Sequence, residues 1–261
     1  MNIDRNFLED IYIKYNGRKY SFSDPICLVY KYKNPKDIEI ASLIASSFAY
    51  GNVKQIIKNL SLIFNEMENS PFSFIQKTSE ENLIKIFKNF KYRFTTGKEL
   101  SFFLINIKKT LSDYGSIENM FMKNYNESEE NLSNSIYKFV NFFTFYNKIP
   151  TLFPSAKLKS PFKRFNLFLR WMIRKDNIDF GIWKNIPTSK LIIPLDTHIY
   201  HISKSLGITK RNDVSMKTAI EITDFFRKIN PEDPVKYDFA ITRTGILKDT
   251  IKKDKIIYSK K

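Results

Sequence analysis

The 261-residue chain is 43% hydrophobic and 15% aromatic, and a chain of that size hides roughly 70–75% of its unfolded surface. Its 43 Lys and Arg against 27 Asp and Glu leave a formal charge of +16. That surplus favours a polyanionic partner, nucleic acid first, although a Lys-, Asn- and Ile-rich genome would produce it too. No run of about 18 apolar residues is present to span a bilayer, and Cys27 alone excludes an intrachain disulfide, a four-cysteine zinc site or a cysteine-held cluster.

Phe7, Leu8, Ile11 and Tyr15 predict a helix over residues 4–16, stopped at Asn16-Gly17. A second is expected from Ser23-Asp24-Pro25, with Asn34-Pro35 separating it from the next. From Lys36 to Tyr50 the residues are small and apolar, and Ile40, Ala41, Ile44, Ala45 and Phe48 form the stripe of a buried helix. Gly51 breaks it, and Val53 to Met67 resume with Ile56, Ile57, Leu60, Ile63 and Phe64 on one side. Glu80 to Asn89 predicts a short helix.

Lys91-Tyr92-Arg93-Phe94 then interleaves cations and rings, which suits a nucleic-acid strand and equally suits a helix end with its rings in the core. Lys98 to Tyr114 and Ile117 to Tyr125 continue the helical pattern. Asn126 to Glu130 is polar and acidic, an exposed loop or lobe boundary. Ile136 to Tyr146 is aromatic-rich, and Lys148 to Ser160 is irregular and punctuated by proline.

Ser160-Pro161 marks a helix start, with the helix running from Pro161 to Lys175. At 100° per residue, Phe162, Phe165, Phe168, Leu169, Met172 and Ile173 share one side. Lys163, Arg170 and Arg174 share the other, flanked by Asn166, Leu167 and Trp171. A cation in the first turn meets the positive helix end, and Arg164 is adjacent, so Lys163 is expected to lose its proton more easily than most lysines. The other reading is an ordinary exposed lysine.

The apolar approach Leu191–Leu195 runs into Asp196, an N-cap residue, and Ile199, Ile202 and Leu206 continue to Gly207, so one short helix is expected between Asp196 and Gly207. A structural cap is the plain reading of Asp196. His198 and His201, three residues apart beside it, also form the seed of a metal site, which would make the chain a metal-dependent phosphohydrolase. No alternating strand pattern recurs and no repeat is evident. The expected fold is all-α, two packed helical lobes with a cleft in residues 1–247, followed by a basic tail over 248–261. Met1–Asn6 has neither the basic nor the apolar region of a secretory signal, and a cytoplasmic monomer is expected.

Leu195-Asp196-Thr197-His198-Ile199-Tyr200 resembles the V-D-T-H-V-x-R segment of helix-hairpin-helix (HhH-GPD) DNA glycosylases such as the endonuclease III-like enzymes. Lys163 to Arg174, Asp179 to Trp183 and Pro231 to Ala240 extend the likeness, from about Asp37 to Leu247, to an uncharacterised bacterial family distantly related to those enzymes. The family's Leu-Pro-Gly-x-Gly hairpin is missing, since no glycine lies between Gly181 and Gly207, so the hairpin is degenerate.

Archaeal GO glycosylase places its lysine further upstream on an altered hairpin, similar to Lys163, which stands 33 residues before Asp196; Lys175 and Lys184 are the weaker alternatives. The resemblance implies a base-excision glycosylase, with or without lyase activity, acting on a damaged base such as an oxidised purine, flipped from duplex DNA. Asp196 and Lys163 would be catalytic, and Arg164, Arg170, Arg174, Lys91 and Arg93 would hold DNA. Trp171, Trp183, Tyr50 and Gln55 would form a stacking surface or pocket, and Thr197 and a buried hydrogen bond from His198 would steady the Asp196 turn. No metal or cofactor is implied. The partner is DNA, with RNA an open alternative, since both stack and carry phosphates; a helical nucleic-acid binder without catalysis is the second reading.

Overall fold

The computed structural model describes residues 5–155 and 160–246, so the expected tail over 248–261 lies outside the described residues. Among them the elements are, in chain order, α1 (Arg5–Tyr15), α2 (Pro35–Ser47), α3 (Val53–Glu66), α4 (Pro71–Lys77), α5 (Glu80–Phe87), β1 (Lys91–Tyr92), β2 (Thr95–Thr96), α6 (Gly97–Tyr114), α7 (Ile117–Met122), α8 (Ser133–Phe143), α9 (Lys163–Ile173), α10 (Thr197–Ser205), α11 (Met216–Ile229) and α12 (Asp238–Ile246). The fold is all-α apart from the two-stranded ribbon β1–β2. It divides into two compact units: Ser23–Leu158, and Met1–Phe22 together with Lys159–Lys261. Asn126–Glu130 is a loop inside the first of these and not a boundary.

In the unit Ser23–Leu158, α2 is the central helix. Every residue from Asp37 to Ser47 is buried, and its Ala and Ser positions keep the helix narrow enough for neighbours on all sides. Its two acids each receive the start of another helix. Asp37 accepts from Ser70 Oγ at 2.7 Å and Phe72 N at 3.0 Å at the start of α4, and Glu39 accepts from Ile117 N at 3.1 Å and Glu118 N at 3.0 Å at the start of α7. These carboxylates satisfy backbone N–H groups that a first helical turn leaves unpaired, and they complement the positive helix end.

Helix α3 is amphipathic and buries Ile56, Leu60, Ile63 and Phe64, each worth roughly 1.5–3 kcal/mol when fully removed from water. The expected helix from Ser23 is only a 3-10 turn, Pro25–Leu28, capped by Asp24, whose carboxylate accepts from Ile26 N. Helix α5 ends against α6, so closely that a Cβ on Gly97 would stand 2.0 Å from the Phe87 carbonyl oxygen.

In the other unit, α9 is buried from Phe165 to Ile173. It begins two residues later than Ser160-Pro161 predicts, because Phe162 takes a left-handed φ of +44°; Ser160 Oγ accepts from Phe162 N at 3.1 Å. After Arg174 the chain turns back through Asp176–Gly181. There the Phe180 and Gly181 amides donate to the Trp171 carbonyl at 2.9 and 3.1 Å, and Trp183 N donates to the Met172 carbonyl at 2.8 Å. The last carbonyls of the helix are thereby satisfied. Helices α1 and α12 pack together, tied by Glu9, which accepts from Lys236 Nζ at 2.8 Å and from the Tyr237 hydroxyl at 2.6 Å.

Candidate active-site residues

Asp196 stands in extended backbone (φ −106°, ψ −179°), and its Oδ1 accepts from Ile199 N at 2.8 Å, capping α10. It is half-buried at the end of the buried segment Leu191–Leu195, whose Ile193 N donates to Thr223 Oγ1 of α11 at 3.0 Å. Ile199 and Ser203 anchor α10 in the core. Thr197 and His198 are both exposed. The buried hydrogen bond expected of His198 is corrected accordingly, since its side chain faces water; the turn rests on Asp196 itself and on buried Ile199.

The strip of cations expected along α9 is not a surface. Arg170 and Arg174 are buried to 2% and 4% exposure. Arg170 pairs through Nη1 with Asp238 and through Nη2 with Asp179 at 3.2 Å. Arg174 pairs with Asp179, with Asp176 at 2.9 Å and, through Nε, with Asp233 at 2.9 Å. The phosphate-holding roles expected of both are therefore corrected: their donors are consumed by carboxylates inside the unit. A helix with apolar neighbours on every side has to bury its arginines, and buried charge persists only when paired. The clue in the sequence is that Leu167 and Trp171 flank the supposed polar face and leave it too narrow to meet water.

Four carboxylates face two guanidinium groups in this cluster, and Asp196 adds a fifth acid nearby. Burial, reinforced by repulsion from Asp196 and Asp179, raises the Asp238 carboxyl to about 6 despite the Arg170 ion pair. Burial also pushes Asp179 and Asp233 upward. Asp176 moves the other way. Arg174 and the Asp179 and Ile178 amides, which donate to it at 2.8 Å each, outweigh its burial. None of these four aspartates takes a role in the sequence reading, although Asp179, Asp233 and Asp238 fall in segments that carry the family likeness.

Trp171 and Trp183 are 0% and 1% exposed. The Trp183 ring meets Phe168 edge-on at 5.3 Å between centroids. Both rings are core, so the stacking role expected of them is corrected. Lys163 is the first residue of α9, half-buried with its neighbour Arg164, whereas Lys175 and Lys184 are exposed. Lys163 precedes Arg170 by seven residues on nearly the same helical face, roughly 10 Å along the axis.

The remaining expected residues belong to the unit Ser23–Leu158. The stretch Lys91–Phe94 is no helix end. It is the first strand and turn of a hairpin in which Lys91 faces Thr96 and Tyr92 faces Thr95. Tyr92 and Thr95 point inward and are buried, while Lys91, Arg93, Phe94 and Thr96 point outward and are exposed. The Tyr92 hydroxyl donates to the Tyr50 carbonyl. The Tyr50 hydroxyl meets Thr95 Oγ1 at 2.7 Å, so the half-buried Tyr50 fastens the hairpin to the loop before α3. Gln55, in the first turn of α3, is exposed. Tyr50, Lys91 and Arg93 are thus brought together.

His198 and His201 are both exposed, and among the described residues no group of three or more His, Cys, Asp or Glu side chains is gathered that could hold a metal ion. Among those residues, too, no helix is long and apolar enough to cross a membrane. A family model described as "Protein of unknown function (DUF2400)" matches residues 24–247. No curated protein and no solved structure matches the chain.

Proposed function

For a chain that belongs to the DUF2400 family, we propose a DNA base-excision glycosylase in which Asp196 is the catalytic carboxylate and Lys163 the amine nucleophile. The observation that carries this reading is the setting of Asp196. It is a half-buried acid at a helix start, next to a buried carboxylate that is itself held by Arg170. Breaking an N-glycosidic bond builds positive charge at C1′, and a carboxylate close to that atom stabilises it. The Asp238 carboxylate interacts electrostatically with Asp196, and Arg170 offsets part of its charge.

In the lyase form, Lys163 Nζ attacks C1′ and gives up a proton, the C1′–N bond breaks, and the base departs with the bonding pair and takes up a proton. Opening of the sugar ring then leaves an imine between Nζ and C1′, which permits strand cleavage. In the hydrolytic form, Asp196 takes a proton from water, and the water oxygen replaces the base at C1′. The damaged base has to leave the duplex first, and an oxidised purine is the lesion the resemblance favours.

Duplexes carrying single damaged bases, incubated under borohydride, test the reading. A trapped covalent adduct that disappears in Lys163→Gln supports the lyase form, and base release without trapping supports the hydrolytic form. No release from any lesion, with DNA binding retained, supports the second reading, a binder without catalysis. The exposed Lys91–Arg93 hairpin is the observation that favours it. Monomeric behaviour and a cytoplasmic location belong to the same proposal.

A further inference from the structure

The tip of the β1–β2 hairpin displays an aromatic ring that folding does not explain. Phe94 is 73% exposed, although its neighbour Tyr92 is 4% exposed and belongs to the core. The tip is a two-residue turn, and Arg93 takes a φ of +51° there. Tight hairpin turns require a left-handed first residue, and glycine, asparagine or aspartate supplies it more cheaply than arginine. A non-glycine residue held in that region is strain of the kind retained at functional sites.

The tip is also rigidly mounted. Beyond the Tyr50 bonds, Thr95 Oγ1 meets Thr151 Oγ1 at 2.6 Å, and Thr151 N donates to Glu99 at 2.6 Å. A Cβ on Gly51 would stand 2.7 Å from an Arg93 guanidinium nitrogen, so that side chain lies directly on the loop before α3. The Arg93 guanidinium carbon stands 5.6 Å from the Phe94 ring centroid. The outward positions of the ribbon and its flank are Lys91, Arg93, Phe94, Thr96 and Lys98, with Asn52 and Lys54 exposed at the neighbouring start of α3. All of these are cationic, neutral or aromatic, and the one acid close in sequence, Glu99, is engaged with Thr151 N.

We propose that this tip is a stacking platform for an unpaired nucleotide of DNA, with the base on the Phe94 ring and the adjoining phosphates on Lys91 and Arg93. An exposed ring offers any base a face, and flanking cations fix the backbone without reading sequence. A protein partner would need the tip to carry hydrogen-bonding specificity or a wider apolar area, and the chain's charge of +16 matches a polyanion. The inference rests on the nucleic-acid part of the proposed function and not on Asp196.

Fluorescence anisotropy with the full chain tests it, using one duplex with a central unpaired adenine and the same duplex fully paired. Phe94→Ala weakens binding to the unpaired-base duplex about tenfold, the loss expected of one base–aromatic stack. It leaves the unfolding temperature and the salt dependence unchanged, and Phe94→Trp restores affinity. Arg93→Gly leaves the unfolding temperature unchanged or raises it, yet weakens binding and lowers the salt slope by about one. Equal affinity of wild type and Phe94→Ala overturns the platform, and so does a Phe94→Ala loss confined to self-association in sedimentation. A wild type that binds neither duplex overturns both this inference and the proposed function. Binding that depends on Phe94 with no base release from any lesion removes the glycosylase and leaves the platform standing.

Discussion

Asp238 shows how a buried residue reports on a half-buried one. Its carboxyl is raised to about 6 by burial and by its acidic neighbours, Asp196 among them. Between pH 4 and pH 6 the unfolded chain has already lost this proton while the folded chain keeps it. The folded state therefore binds more protons in that window, and the group's contribution to stability falls as pH rises through it. Urea unfolding of wild type and Asp238→Asn should differ by an amount that drops about 2 kcal/mol from pH 4 to pH 7; a difference independent of pH contradicts the assignment. Arg170 gives the second residue-scale prediction. Arg170→Met leaves Asp179 and Asp238 buried with less compensation, and removing one partner of a buried pair costs about 3–5 kcal/mol. Calorimetry should show a much lower unfolding temperature. A variant of wild-type stability that only binds DNA less tightly would restore the surface role that burial argues against.

At the scale of elements, Glu39 and Gly97 decide whether the unit Ser23–Leu158 assembles. Glu39→Gln replaces a carboxylate that accepts two amides at the start of α7 with a neutral group, and the loss of charge-assisted bonds should cost about 1–3 kcal/mol in a denaturant titration. Gly97→Ala drives a methyl into the Phe87 carbonyl, so about 1–3 kcal/mol of overpacking is expected there as well. Unchanged midpoints in both variants would contradict this packing.

Strong periodicity made α1, α2, α3, α5, α6 and α10 legible in the sequence, because each carries an apolar stripe and a stop such as Gly51, Gly115 or Gly207. Asp196 was equally legible as a cap. The hairpin was not, since two strands of two residues are too short for alternation to emerge, and Arg93 stands where turn chemistry favours glycine. Nor was the role of α9. Its arginines look amphipathic on a wheel, and only the distant Asp179, Asp233 and Asp238 reveal them as interior charges. Pairing across 59 and 68 residues is a tertiary fact that no local pattern encodes.

For the whole molecule, the charge of +16 predicts binding to nucleic acid that weakens steeply with salt. Contacts to about six phosphates would lower affinity roughly a thousandfold between 50 and 200 mM salt, and a salt-independent affinity would separate the charge from the function. The two readings of the chain share that dependence, so they part only at the glycosidic bond. Asp196→Asn separates them with little structural cost, because asparagine caps a helix as well as aspartate does and the Ile199 amide keeps its acceptor. The decisive measurement is single-turnover base release from lesion-bearing duplexes by wild type and Asp196→Asn, with the unfolding temperature of each recorded alongside. An unchanged unfolding temperature with release reduced at least a hundredfold is the predicted result; release at the wild-type rate from Asp196→Asn, or none from either protein on any lesion, would contradict a catalytic Asp196.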